Sequence, residues 1–146
     1  MAYTEQIGEI FDKIYNAKTK QEKKDLLIQY RDSAPLRFIL RGTFDPTVQF
    51  TINEEPDYTP SGEDHYGDAS NNLYFEVPKC SIFVKGHKEA AALNKEKAKQ
   101  HLTEILESLH PQEASIYMGM LKKKLKIKGL TSNLVLEVFP NMYKGA

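Results

Sequence analysis

The first third of the chain carries apolar residues at three- and four-residue spacing, which is the period of an α-helix with one buried face. This spacing predicts a helix from about Thr4 to Ala17. Thr19 and Glu22 form a capping-box pattern that begins a second helix, and Ser33 can cap a third. We expect these short helices to bury one stripe each, consisting of Ile7, Ile10, Phe11, Ile14, Tyr15, Leu26, Leu27, Tyr30, Leu36, Ile39 and Leu40.

The middle of the chain changes to a period of two. Apolar and polar residues alternate from Thr47 to Ile52, which predicts an extended segment. The short apolar runs 73–77 and 82–84, separated by Pro78, favour a strand or hairpin, with a buried helical segment as the alternative. Prolines, glycines and acidic residues predict a long surface loop at about 53–72, disordered in part.

The last third returns to the helical period. Helices are predicted at about 94–109 and 111–125, the first capped by an asparagine and the second begun by a proline. Thr131 or Ser132 caps a final helix. The sequence therefore predicts a mainly α protein: a compact bundle of about six helices with a short extended or β segment and a long acidic loop.

Composition fits a single domain over residues 1–146, with 20 Lys and Arg against 20 Asp and Glu. Cys80 is the only cysteine, so we expect a buried free thiol and a reducing, cytoplasmic setting. No apolar run is long enough to span a membrane, and residues 1–5 lack the pattern of a signal peptide. We therefore expect a cytoplasmic protein with no membrane partner.

Charge is strongly segregated along the chain. Six acidic residues and no Lys or Arg lie from Glu54 to Asp68, so the molecule should be dipolar. A cluster of lysines is the electrostatic footprint of a polyanion partner such as nucleic acid, and a solvated helix end is the alternative reading. The basic cluster consists of Lys122, Lys123, Lys124, Lys126 and Lys128.

The lysines run directly into a glycine turn and a predicted helix start. Gly129 allows close approach to the backbone, while Thr131 and Ser132 bring hydroxyl groups and free amide groups. Together with Lys128 they outline a phosphate-binding site. A plain turn between two helices is the alternative.

Catalytic and metal-binding patterns are missing from the sequence. The four histidines lack metal-ligand spacing with Cys80, and no phosphate-binding loop, nucleophile elbow or zinc-protease motif occurs. We therefore predict no catalytic residue, no metal and no cofactor, and we expect that the protein is not an enzyme.

Two parts of the chain resemble the N-terminal DNA-binding domain of phage ATP-dependent DNA ligases. The segment from Arg41 to Ile52, closing at Pro56, is similar to one of its motifs. Its C-terminal part is similar to the stretch from Leu93 to Leu106, the predicted helix from Pro111 to Leu125, the turn from Lys128 to Ser132 and the closing Val138-Phe139-Pro140. This resemblance covers about half of the chain.

The resemblance implies an all-helical module that grips duplex DNA through its backbone, largely across the minor groove. Lys128, Gly129, Thr131 and Ser132 match its glycine-turn motif, and Arg41 and Thr43 match the earlier motif. The chain departs from the pattern at Asn141, where these ligases tend to have glycine, and in its acidic loop. It also has no Lys-x-Asp-Gly nucleophile motif, so it cannot adenylate itself.

We expect a stand-alone phage accessory protein of DNA replication in the host cytoplasm, because the chain ends at Ala146, where a ligase would continue. It would bind duplex or nicked DNA non-specifically. The alternative is an adaptor or DNA-mimicking inhibitor of a replication or transcription protein, acting through the acidic loop or through Phe139, Met142 and Tyr143. The expected DNA-binding residues are Arg41, Thr43, Lys122, Lys123, Lys124, Lys126, Lys128, Gly129, Thr131 and Ser132.

Overall fold

A computed structural model describes residues 5–62, 69 and 71–142 of the chain. Over these residues it contains helices and no β-strand, which confirms the predicted mainly α class. None of the described helices has the length and hydropathy needed to cross a bilayer. The helices are α1 Ile7–Asn16, α2 Lys20–Gln29, α3 Ala34–Phe44, α4 Leu73–Glu76, a 3₁₀ helix Val77–Phe83, α5 Lys88–Ala92, α6 Lys95–Ser108, α7 Pro111–Leu121 and α8 Ser132–Val138.

Local side-chain caps begin four of these helices as predicted. Thr19, Ser33, Asn94 and Thr131 each accept a hydrogen bond from the backbone N–H three residues later, at 3.1, 3.4, 2.9 and 3.2 Å. Each oxygen satisfies a donor that the first helical turn leaves without a partner. The polar pattern at these four positions therefore fixes where α2, α3, α6 and α8 start.

The core is built around α7, which packs against α1, α3 and α6. Nearly all residues of α7 from Glu113 to Leu121 are buried. The contact with α3 is close, since a Cβ atom at Gly42 would lie 3.0 Å from Met120 Cγ and 3.1 Å from the Phe50 ring. A larger residue than glycine would force the Met120 or Phe50 side chain to move by a few tenths of an ångström. On the other side of the core, α2 packs against α8.

The strand or hairpin favoured at 73–77 and 82–84 is wrong and the alternative, a buried helical segment, is confirmed, because α4 and the 3₁₀ helix occupy this region. Asn72 caps α4 by accepting the N–H of Phe75 at 3.1 Å. Pro78 lies in the first turn of the 3₁₀ helix, where its missing N–H costs nothing. The buried positions Leu73, Val77, Cys80 and Phe83 are three and four residues apart, which is a helical stripe.

The segment from Thr47 to Ile52, which is predicted to be extended, forms no strand in the described chain, and it has Thr47 in a turn and Thr51 in a bend. It contacts the residues after the 3₁₀ helix through one isolated antiparallel bridge, Phe50 with Val84. The flanking hydrogen bonds join Thr51 N to Phe83 O at 2.7 Å and Lys85 N to Gln49 O at 2.8 Å. Of the predicted extended segment, the described chain therefore has one bridge, at Phe50, and no strand or sheet.

The acidic loop is less peripheral than its composition indicates. Pro56 is buried, Tyr58 is half-buried against the core, and the N–H of Thr59 donates to Glu107 Oε2 at 2.9 Å. The start of the loop is therefore packed, contrary to the expectation that the whole loop lies outside the core. Residues 63–68 and 70, on which the predicted disorder partly falls, lie outside the described residues.

Candidate functional site

The basic cluster lies in the connection between α7 and α8, and not on a helix. The prediction that α7 continues to Leu125 is wrong, because the helix ends at Leu121. Lys123 has a φ of 59°, the N–H of Lys123 donates to Met120 O at 3.0 Å, and the N–H of Lys124 donates to Gly119 O at 2.8 Å. This pair of bonds is a Schellman motif, with a lysine in the left-handed position that glycine usually takes. We call residues 122–128 the lysine segment.

Lys123 ties the lysine segment to the end of α3. Its ammonium group donates to Gly42 O at 2.9 Å and to Asp45 O at 2.8 Å, and it lies 5.8 Å from the centroid of the Phe50 ring. Burial lowers the pKa of Lys123, and the nearby Asp45 carboxylate opposes that shift. Its charge is therefore used to hold two parts of the fold together.

Three other lysines of the segment point into solvent. Lys124, Lys126 and Lys128 are exposed, and they alternate with Leu125 and Ile127, which pack on the core. None of these three ammonium groups forms an ion pair with a described residue. Because these two apolar side chains pack on the core, the backbone between them lies against the protein, and the three lysine side chains extend from it into solvent.

Lys122 differs from these three, since its ammonium group lies 3.9 Å from Glu55 Oε2 at the surface. The beginning of the acidic loop therefore lies beside the lysine segment. Such exposed pairs are weak. Glu54 and Asp57 of the acidic loop are exposed, and its remaining acidic residues, Glu63, Asp64 and Asp68, are outside the described part of the chain.

The glycine turn after the lysine segment is explained by packing. Gly129 has a φ of +86°, and a Cβ atom there would lie 3.0 Å from Lys23 Cε. Lys23 is buried and donates to the carbonyls of Ile14 and Ala17, so it caps the end of α1. The burial of Lys23 could have been inferred from the sequence, because Lys23 lies four residues before the buried Leu27 and therefore on the same face of α2.

The hydroxyl residues after this glycine begin α8. Thr131 is exposed, and its side-chain oxygen already accepts the N–H of Leu134. Ser132 is half-buried and also has an interaction within the protein. Both residues therefore have a structural role in the helix start, next to the exposed Lys128.

Arg41 and Thr43 lie at the end of α3, next to the place where Lys123 is bound. Arg41 Nε is 3.1 Å from Asp45 Oδ2, and much of the arginine side chain remains exposed. Thr43 is buried, and its hydroxyl donates to Ile39 O at 2.8 Å. The structure thus brings Arg41 close to the lysine segment and leaves Thr43 inside the helix packing.

Asp45 organises this turn. Burial would raise the pKa of its carboxyl group, but hydrogen bonds from the hydroxyl and N–H of Thr47, at 2.7 and 2.9 Å, and from Arg41 outweigh burial and lower the pKa. An ionised Asp45 with these donors fixes the turn whose carbonyl groups receive Lys123. The two regions singled out by the sequence resemblance are therefore physically joined.

A groove lies next to Arg41, between α3 and the residues that follow α8. Its volume is about 510 Å³. The side chain of Phe38 is 37% exposed and lines the groove together with Phe139, Met142 and the arginines 37 and 41. This surface combines apolar side chains with positive charge. Tyr143, the last residue of the predicted apolar end, is outside the described residues.

The other chemistry-bearing groups do not form a site among the described residues. No cluster of three or more His, Cys, Asp or Glu side chains that could hold a metal occurs there. Cys80 is a free, buried cysteine, and burial raises the pKa of its thiol to about 12. A thiol with such a pKa is a poor nucleophile at neutral pH.

The comparisons with known proteins concern the fold and the family. The chain is similar in fold to a solved ligase-related chain, Pmar-Lig_PreS3, with a TM-score of 0.69 and 14% sequence identity. The similarity covers 93% of this chain and 30% of that one, so this chain spans less than a third of its neighbour. No curated protein matches the sequence. The model of the Family of unknown function (DUF6433) matches residues 10–127, which is most of the chain, and the chain therefore belongs to that family.

Proposed function

We propose that the protein binds duplex or nicked DNA non-specifically, through contacts between the lysine segment and the phosphate backbone. The observation that carries this proposal is the display of Lys124, Lys126 and Lys128 on a tethered stretch of chain, without ion-pair partners among the described residues. Phosphate contacts of this kind supply affinity without reading the base sequence. The fold shared with a ligase-related chain supports a role in DNA metabolism.

The residues have different roles in this proposal. Lys124, Lys126 and Lys128 contact phosphates, and Lys122 and Arg41 extend the positive surface near the end of α7. Lys123 acts as the tether that holds the lysine segment against α3. Thr43, Gly129, Thr131 and Ser132 shape the backbone beneath the contact surface. The resemblance to phage ligase domains supports placing the protein among phage accessory proteins of DNA replication, in the cytoplasm of the host.

Fluorescence anisotropy with labelled nicked and intact duplexes at two salt concentrations tests this proposal. The triple variant Lys124→Gln, Lys126→Gln, Lys128→Gln should bind all sequences more weakly. It should also flatten the slope of log K against log salt by up to about 0.9 for each lost phosphate contact. Lys and Gln have similar helix propensities, and these side chains are exposed, so folding should be unaffected.

A matched control removes the same charge elsewhere. Lys95, Lys97 and Lys99 are exposed on α6, and their change to Gln should leave the affinity nearly as in the wild type. An equal loss in both triple variants would refute the lysine segment as the contact surface. Wild-type protein that does not bind DNA even at low salt would refute the proposed function.

The groove beside Phe38 favours a second candidate function, that of an adaptor for a replication or transcription protein. Apolar side chains flanked by Arg37 and Arg41 suit an acidic partner segment with an apolar anchor. A photo-crosslinking residue at position 38 should capture one specific protein in cells, and the capture should be lost with Arg37→Glu. A crosslinker at Phe75, which is 65% exposed and does not line this groove, is the control. Identical products from both positions would refute the adaptor function.

A further inference from the structure

A cleft lies directly beside the lysine segment, between the end of α1 and the start of α7. Its volume is about 470 Å³. Tyr15 and Asn16 line it from α1, Gln112 and Ser115 line it from α7, and Lys126 closes it on the side of the lysine segment. Leu125 and Ile127 of the lysine segment line the cleft as well, so the cleft and the proposed phosphate-binding surface form a continuous surface.

Tyr15 is the unexpected residue of this cleft. Helical spacing assigns it to the buried stripe of α1, yet its side chain is 60% exposed, whereas Ile7, Ile10 and Ile14 are almost completely buried. An aromatic ring that is left in solvent next to positive charge resembles the stacking platforms of proteins that bind single-stranded nucleic acid. Every base has a flat face that can stack on such a ring, whatever the sequence.

The remaining groups of the cleft fit the edge of a base. The side chains of Asn16, Gln112 and Ser115 are exposed and form no hydrogen bond to another described residue. A carboxamide offers both donors and an acceptor, as a base edge does. Asp12 also lines the cleft, and its negative charge disfavours a phosphate group there. The phosphates of a bound strand would therefore lie outside, along Lys126 and its neighbours.

We propose that this cleft binds one unpaired DNA base, which stacks on Tyr15 while Lys126 contacts the adjacent phosphate. This inference rests on the proposed function and adds a preference for DNA with an unpaired nucleotide, as at a gap or an overhang. Asn16 and Gln112 hydrogen-bond to the base edge. The neighbouring duplex lies on the remaining part of the lysine segment.

The test compares two labelled DNAs of equal length, a blunt duplex and a duplex with a short single-stranded gap, in anisotropy titrations. Wild-type protein should bind the gapped DNA more tightly. Tyr15→Leu should weaken binding of gapped DNA by about 5- to 150-fold, the range measured when one base loses its aromatic stacking partner, and should leave binding of blunt duplex unchanged. Tyr15→Phe keeps the ring and should bind as the wild type does. Phe75→Leu removes an exposed aromatic residue elsewhere and should also bind normally.

The outcomes separate this proposal from the one on which it rests. If the wild type binds blunt and gapped DNA equally, or if Tyr15→Leu affects neither or both alike, the cleft proposal is overturned while the phosphate-binding proposal stands. If the wild type binds neither DNA at low salt, both proposals fail. Circular dichroism of Tyr15→Leu should match the wild type, since leucine favours helix and the position is exposed.

Discussion

The Glu113 carboxylate joins the first turns of three helices. It lies in the first turn of α7 with only 1% of its surface exposed, and it accepts the N–H of Gly8 in α1 at 2.8 Å and of Leu73 in α4 at 3.2 Å. Burial raises the pKa of Glu113, although both hydrogen bonds favour the ionised form. Its negative charge also lies among the positive ends of helices. A single side chain thus connects parts of the core that are far apart in sequence.

We predict a pH dependence of stability that originates from Glu113. Its pKa in the folded protein is above the ordinary value of 4.5. Its stabilising contribution is therefore fully present below pH 4.5 and is lost as the pH rises through the folded-state pKa. Glu113→Gln does not titrate at this position, so the unfolding free energy of the wild type minus that of the variant should fall as the pH rises. Urea unfolding from about pH 4 to pH 8 measures this, and a constant difference would contradict it.

Tyr117 presents the opposite case, a buried polar group without a partner. The residue is completely buried, and its hydroxyl group forms no hydrogen bond with any described residue. Its ring packs edge-on against Phe83, with the centroids 6.5 Å apart. The ring therefore stabilises the core, while the hydroxyl group loses its hydration without compensation.

Tyr117→Phe should consequently stabilise the protein. Removing an unpartnered buried hydroxyl is expected to raise the unfolding free energy by about 1–2 kcal/mol, or the melting temperature by about 2–8 °C. Tyr74→Phe is the matched control, because the Tyr74 hydroxyl donates to the carbonyl of Glu5, and its loss should lower the melting temperature. If Tyr117→Phe melted below the wild type, the hydroxyl would have a stabilising partner and this account would be wrong.

At the scale of elements, predictions from the sequence succeed where the determinants are local. The caps Thr19, Ser33, Asn94 and Thr131 each depend on a side chain and a backbone N–H three residues away, and all four are formed. The secondary structure of residues 73–84 does not follow from the sequence pattern, since a short apolar run fits a strand and a buried helix equally well. What decides this region is packing against α5 and the rest of the core, which the sequence pattern does not contain.

The candidate site shows the same division. The clustering of the lysines is visible in the sequence, but their separation into a tether and three exposed charges depends on long-range contacts. Lys123 donates to carbonyl groups about 80 residues away along the chain, and nothing in the local pattern distinguishes it from Lys124. Tyr15 likewise has the spacing of a buried residue. In the fold its side chain is 60% exposed and lines the cleft between α1, α7 and the lysine segment.

The tether formed by Lys123 is testable by substitution. Lys123→Met keeps the aliphatic part but loses the hydrogen bonds to Gly42 and Asp45, so the unfolding free energy should fall by about 1.5–3 kcal/mol. Lys123→Gly loses the same bonds but relieves the left-handed backbone, so it should be less destabilising than Lys123→Met. Lys124→Met, at an exposed position, should change stability by less than about 0.5 kcal/mol. Urea unfolding of the three variants measures the loss of unfolding free energy in each. Equal losses for Lys123→Met and Lys124→Met would refute the tether.

At the scale of the whole molecule, the acidic and basic stretches of the sequence do not lie on opposite sides of the fold. Glu55, at the start of the acidic loop, lies next to Lys122 in the lysine segment. Pro56 is buried and Tyr58 packs on the core, while Thr59 is hydrogen-bonded to Glu107 of α6. The loop therefore begins with a packed part, and it continues with residues 63–68, whose sequence is polar and rich in acidic residues. The single-domain organisation over residues 1–146 remains a prediction.

Two replacements of the acidic loop test this division. Exchanging residues 63–68 for a Gly/Ser linker of equal length should change the unfolding free energy by less than about 0.5 kcal/mol, because these residues offer few apolar groups to a core. Exchanging residues 57–68 also removes the half-buried Tyr58 and the bond from Thr59 to Glu107, and should lower the unfolding free energy by about 1–3 kcal/mol. Urea unfolding monitored by circular dichroism compares them. If both replacements lower the unfolding free energy by the same amount, the beginning of the loop does not stabilise the core, and the contact of Tyr58 with the core adds no stability.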